Sequence, residues 1–440
     1  MEILTNTGAF IVVLGVMIFF HEFGHFITAK AFGMRVFIFS FGFGRRLLGF
    51  RWGDTDCRIS LIPLGGYVKL EGEPDDPLSE ETASRGDGRD FSSRPRWQRI
   101  LVYLAGPFMN VVLTVGVLTG LYMIGFQVEA SRYDAPVIGV VEPGSPAERA
   151  GLQPGDRLLS LDGVALEDWE TAQYNILIRP DARFPVEVER GGQRLSLEIE
   201  SASKDAEEIG AIGVHPLVRI GEVVAGAPAD EAGLRADDAI LRIDGEVIRS
   251  FGDIPPLVAR AEGRPLELEI FRDGRRFAVA VTPRDTSGGP LIGIGRKMID
   301  MQFGFARAGL EALRWTWDMT TQTFEILERL LTARLSTRSM MGPIGIAQAS
   351  GDAARAGAGS LAFLVAVISL QIGILNLFPL PPLDGGHLAI LIGESVLRRD
   401  FSLNAKIWVM NAGAAALFLL IGLVLYSDLS KTSLFGRFLP

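Results

Sequence analysis

Four runs of this chain, residues 8–30, 100–126, 361–378 and 407–426, are apolar over about the 20 residues a helix needs to cross a hydrocarbon core. In such a solvent every backbone N–H and C=O must be satisfied within the protein, so the runs predict helices and the fold class of a polytopic α-helical membrane protein. The third run continues, after an interruption, to about residue 392. The first has no basic leader and no small-residue cleavage site, so it reads as a retained span and not as a secretory signal. With 48% hydrophobic residues and a formal charge of -9, the chain lacks the basic face a nucleic-acid partner requires. Cys57 is the only cysteine, which excludes an intrachain disulfide and a thiolate metal cluster.

Charge sets the expected orientation. Lys30, Arg35, Arg45, Arg46, Arg51 and Arg58 follow the first span, Arg94, Arg96 and Arg99 precede the second, and only Glu2 stands before the first. Basic flanks stay in the cytoplasm, so residues 31–99 are expected inside, and both termini and the long stretch between the second and third spans outside. Within 31–99, Arg58–Lys69 reads as two short strands around Gly65-Gly66, and residues 76–95 as a polar loop.

The outer stretch repeats itself. Ser145-Pro-Ala-Glu-Arg-Ala-Gly-Leu152, with Asp162-Gly163 beyond it, returns as Ala227-Pro-Ala-Asp-Glu-Ala-Gly-Leu234 with Asp244-Gly245. Each copy reads as a short helix ended by glycine, an apolar strand and an Asp-Gly turn. The pattern resembles tandem PDZ domains of α+β type, expected over 130–205 and 210–286, with Asp237 in the second copy where the first has Gly155. Residues 300–358 should follow as amphipathic and linker helices. Leu310, Leu313, Trp317, Phe324 and Leu331 keep helical spacing there, either to pack on the modules or to lie along the outer membrane surface. The remaining expected spans are 1–30, 100–126, 361–393 and 405–427.

The chemistry is concentrated where it costs most. His21-Glu22-Phe23-Gly24-His25 puts two imidazoles one turn apart on one helical face, the spacing that can hold a zinc ion, with Glu22 about 100° around the helix. Each ionisable group inside a span costs about 2.5–3.5 kcal/mol on insertion scales, and metal coordination would offset that. Zinc needs a third ligand and an open position. Asn376-Leu-Phe-Pro-Leu-Pro-Pro-Leu-Asp384-Gly-Gly-His387 offers Asp384, with His387 as a rival three residues on. The prolines break the span, as backbone at membrane depth may do only where it lines a protein cavity. His215 has no partner at ligand spacing and reads as a surface residue.

These two motifs, with Gly106-Pro107-Phe108-Met109-Asn110 in the second span, resemble those of the site-2 protease family over nearly the whole chain. The resemblance implies zinc on His21, His25 and Asp384, Glu22 as general base, and Asn376 binding the substrate backbone or the oxyanion. It also implies a membrane-reentrant β-loop within 31–99 and a multi-pass place in the bacterial inner membrane, in contact with lipid, with the PDZ tandem on the periplasmic side. The expected substrates are single-span membrane proteins, anti-sigma-factor-like proteins and signal-peptide remnants among them, trimmed first by an upstream site-1 protease and filtered by the tandem. Two other readings are a non-catalytic PDZ scaffold anchored in the membrane and a metal transporter, which would need a chain of ligands across the bilayer.

Overall fold

Each apolar run folds into a helix: α1 (Glu2–Ala31), α2 (Arg96–Ile124), α5 (Ala358–Asn376) and α7 (Leu403–Lys431), with α3 (Phe305–Leu331), α4 (Pro343–Ala356) and α6 (Asp384–Leu397) among them. Four of these helices, α1, α2, α5 and α7, are long and apolar enough to cross a membrane. The computed structural model describes residues 2–73, 87–204, 208–286, 289–336 and 340–431, so residues 76–86 of the expected polar loop lie outside the described residues. The chain divides into two units, one of Met1–Phe126, Gln302–Leu327 and Met340–Pro440, the other of Gln127–Met301 and Glu328–Ser339.

In the first unit α1 and α2 pack closely because small residues meet. A Cβ on Gly24 would fall 2.2 Å from the carbonyl oxygen of Ala105, so only glycine allows that approach. Val13, Met17, Leu113 and Val365 fill the space among α1, α2 and α5. Hydroxyls join the helices where water is absent: Thr114 donates to the carbonyl of Ala366 at 3.0 Å, and Ser369 to that of Asn110 at 3.1 Å. Asp428, near the end of α7, accepts the N–H groups of Gly342, Ile344 and Gly345 and so satisfies the open start of α4. On α7 itself Trp408, Phe418, Leu419 and Tyr426 are all about 70% exposed, a surface that suits lipid.

The segment expected as one span over 361–393 is two helices. α5 stops at Asn376 and α6 starts at Asp384, because Pro379, Pro381 and Pro382 cannot supply the N–H groups a continuing helix needs. The link folds back tightly: Cβ atoms on Gly385 and Gly386 would lie 2.3 Å from backbone atoms of Leu377 and Pro381. Gly413 of α7 backs the same turn, its would-be Cβ 2.3 Å from the carbonyl oxygen of Pro381.

Between α1 and α2 lie two long strands, β1 (Val36–Trp52) and β2 (Thr55–Leu70). β2 bends at Gly65, whose φ of +139° favours glycine. Residues 36–41 pair with 66–70 beyond that bend and 38–41 also with 56–59 before it, while 46–52 pair with 55–60, so the two strands double over into a small sheet. Phe43, Leu47, Leu48, Phe50, Trp52 and Leu61 stay exposed on it.

The second unit contains two modules built alike. In the first, Val164–Ala165, Arg157–Leu161, Arg183–Arg190 and Gln193–Glu200 form a four-stranded sheet in that order, over a core of Leu158, Leu161, Trp169, Val186 and Val188. In the second, Glu246–Val247, Ala239–Ile243, Leu266–Arg272 and Arg275–Val281 repeat those pairings, over Ile240, Ile243, Leu268 and Ile270. Both Asp-Gly turns place Asp and Gly at positive φ, 51° and 78° at Asp162-Gly163 and 48° and 79° at Asp244-Gly245, the twist a tight hairpin needs. Gly155 and Asp237 share a positive φ, 96° and 69°, and Asp tolerates that region better than most residues. The same ion pair on a buried aspartate recurs as well. Arg190 clamps Asp156 at 2.6 Å and Arg272 clamps Asp238 at 2.5 Å, each pair 34 residues apart.

Candidate active site

Helical periodicity brings the two histidines of α1 together: the rings lie 4.9 Å apart and the two Nε2 atoms 3.3 Å apart. Asp384, the first residue of α6, adds Oδ2 at 3.1 Å from His21 Nε2 and 3.5 Å from His25 Nε2. Among the described residues these three form the one cluster whose donor atoms fall within 4.8 Å of each other. The rival histidine lies outside this cluster: His387 lines the same cavity but stacks on Tyr103, ring centroids 5.0 Å apart. His215 is not a bare surface residue, since it pairs with Glu142 at 2.8 Å.

The cluster fits zinc on three observations. Two imidazole nitrogens and a carboxylate oxygen are a catalytic zinc donor set that leaves a fourth position open. Asp384 Oδ2 is buried, with no hydrogen-bond donor aligned on it among the described residues. The helix opposite offers no side chain: a Cβ on Gly106 would lie 2.3 Å from His25 Nε2 and 2.9 Å from His21 Cε1, so glycine keeps that volume open beside the ligand atoms. His25 Nδ1 lies 2.8 Å from the carbonyl of Val102, which can take only an Nδ1–H and so leaves the lone pair on Nε2.

Glu22 and Asn376 line the same cavity as the three donors, about 700 Å³ in volume. Glu22 accepts the backbone N–H of Val68, and a Cβ on Gly66 would touch its Cγ at 3.1 Å, so β2 runs directly beside it. Asn376 is the last residue of α5, where the proline-rich link begins. Sequence reasoning missed Val102 and Tyr103, and named Gly106 and Asn110 without a role. A polar Asn within an apolar span was the available signal for the last.

The profile of peptidase family M50 matches residues 9–420, and the chain belongs to that family. It is 34% identical to the regulator of sigma-E protease RseP of Salmonella typhimurium, over 98% of this chain and 100% of that one. RseP of Escherichia coli is 32% identical over the same shares, and a putative zinc metalloprotease of Vibrio cholerae 31% over 98% and 99%. The chain is therefore a membrane-embedded zinc metalloprotease of the site-2 type.

Proposed function

We propose that His21, His25 and Asp384 hold the catalytic zinc, that Glu22 is the general base, and that Asn376 binds the backbone or the developing oxyanion of the scissile peptide. Carrying this reading is the convergence of three donor atoms within 4.8 Å inside an apolar helix bundle, with Glu22 lining the same cavity. Zinc bound there supplies Lewis acidity, which makes water nucleophilic near neutral pH and polarises a carbonyl. The chain's own groups do the rest. Glu22 takes a proton from the attacking water and delivers it to the departing amine nitrogen. The amide of Asn376 can donate to the oxygen that gains charge.

A transmembrane helix hides its carbonyls in its own hydrogen bonds and has to be drawn out before attack. Residues 65–69 of β2 line the cavity, and an extended substrate pairing along them by β-addition would be held beside Glu22. The substrates we propose are single-span membrane proteins, anti-sigma-factor-like proteins and signal-peptide remnants included, since two relatives are named as regulators of sigma-E. Basic flanks support an inner-membrane orientation with residues 31–99 in the cytoplasm and the two modules in the periplasm. The recurring Asp-Gly hairpins and ion pairs on buried aspartates support reading those modules as tandem PDZ domains that screen substrates already trimmed by a site-1 protease.

Zinc content measured by elemental analysis alongside cleavage of a single-span model substrate in detergent tests the assignment. The double substitution His21→Ala, His25→Ala should remove zinc and activity together. Glu22→Gln should keep zinc and lower turnover by about 10²–10⁴-fold. Stoichiometric zinc in the double variant would sink the ligand set.

A further inference from the structure

An amide in the apolar middle of a span calls for an explanation, because hydrocarbon offers it no partner. Asn110 of α2 is fully buried. Its backbone carbonyl, not its side chain, takes the hydroxyls of Thr114 at 2.9 Å and Ser369 at 3.1 Å. The side chain is therefore not needed to tie α2 to α5. It reaches His21 instead, with Nδ2 at 3.3 Å from His21 Nδ1, while Oδ1 is buried and has no hydrogen-bond partner among the described residues.

The two ends of an amide have nearly the same shape, so the choice between them follows from the hydrogen bonds each makes. If Nδ2 faces His21, Nδ1 must carry the lone pair, Nε2 carries the proton, and Nε2 cannot ligate a metal. Turned by a half rotation about Cβ–Cγ, the amide places Oδ1 against Nδ1. Oδ1 then gains its missing partner, Nδ1 carries the proton, and the lone pair lies on Nε2, facing His25 Nε2 and Asp384 Oδ2. His25 already has this tautomer through Val102.

We propose that Asn110 accepts the Nδ1 proton of His21 and so fixes the tautomer that presents Nε2 to zinc, as a positioning residue that never touches substrate. The inference rests on His21 being a ligand. Partners of this kind are worth roughly 10–100-fold in metal affinity. Space at the site separates this role from packing. A Cβ on Gly373 of α5 would lie 3.1 Å from the Asn110 Cβ, so the variants compared must keep the native volume.

The test is the full-length chain in detergent, titrated with zinc against a chelator. Asn110→Leu, apolar and nearly isosteric, should bind zinc about 10–100-fold more weakly. Asn110→Asp, which restores an acceptor, should bind within about threefold of the native chain. A role in packing alone would favour leucine over a buried carboxylate, so native affinity in Asn110→Leu, or loss in Asn110→Asp equal to that in Asn110→Leu, overturns the proposal. His21→Ala is titrated in parallel. If it keeps its zinc, the ligand set itself fails; if it loses zinc while Asn110→Leu does not, only the present inference fails. ¹⁵N-histidine spectra of the zinc-loaded native and Asn110→Asp proteins give a reading independent of the leucine variant. The proton is expected on His21 Nδ1 and should move downfield in Asn110→Asp, where its acceptor gains charge. Metal on Nδ1, or an unmoved Nδ1 proton, refutes the proposal.

Discussion

Gly106→Ala adds one methyl group and should cost the protein its zinc without costing it its fold. The new Cβ would sit 2.3 Å from His25 Nε2, 2.5 Å from His25 Cε1 and 2.9 Å from His21 Cε1, whereas ordinary contact begins at 3.4 Å. The imidazole of His25 must therefore withdraw by about 1 Å, some five times the roughly 0.2 Å that ligand distances tolerate. It cannot pivot freely, because Nδ1 is tied to the Val102 carbonyl at 2.8 Å. Separating α1 from α2 by the same distance would relieve the clash only by opening a gap along Val13, Met17 and Leu113, where even a 0.5–1 Å separation forfeits about a quarter to a half of each contact. Zinc affinity should fall by at least about 10–100-fold, and turnover by about 10²-fold from misplacement of the reacting groups. The same clash strains the metal-free chain, and the better helix propensity of alanine, up to about 1 kcal/mol, offsets part of it, so the metal-free chain should stay folded and melt no more than a few degrees below native. Chelator competition, thermal unfolding of the metal-free protein and cleavage of a single-span substrate measure the three effects. Gly116→Ala and Gly120→Ala in the same helix, where nothing lies within 4 Å of the added atom, are the controls and should be silent. Zinc affinity and turnover within about threefold of native in Gly106→Ala would refute the reasoning.

Two further outcomes follow from the proposed orientation and the modules. In a Cys57→Ser background, a cysteine replacing exposed Gln193 should react with a membrane-impermeant maleimide on intact spheroplasts, and reaction only after lysis would invert the orientation. Deleting about residues 132–285 should leave cleavage of a short-tailed substrate within a few-fold of native and admit a long-tailed one that the full chain refuses. Loss of short-tail cleavage by a zinc-loaded deletion protein would make the modules a receptor and not a filter.

What could be read from the sequence was local. The helical period alone puts His21 and His25 on one face, and prolines alone predict that the helix through Asn376 must stop before Asp384. The repeat announces two like modules because an Asp-Gly turn has few other uses. The doubled sheet of β1 and β2 was not legible, since its register joins residues 36–41 to 66–70 across an intervening turn. Nor was the ion pair of Asp156 with Arg190, or the cap that Asp428 provides 86 residues from Gly342. Each depends on which faces meet, and one sequence does not state that.

Polar residues in the spans show where this limit falls. Asn110 and Thr114 are four apart on α2, share a face and carry the same message in sequence, that something polar must receive them. The structure gives them different work. Thr114 spends its hydroxyl on the carbonyls of Asn110 and Ala366 and joins α2 to α5, whereas Asn110 turns its amide to a candidate zinc ligand 89 residues away. Gln371 and Thr323 bond to each other, while Asn376, only five residues beyond Gln371, lines the cavity. A polar group inside a span therefore marks either a joint between helices or a site. The sequence gives its position, and only the partner it meets decides between the two.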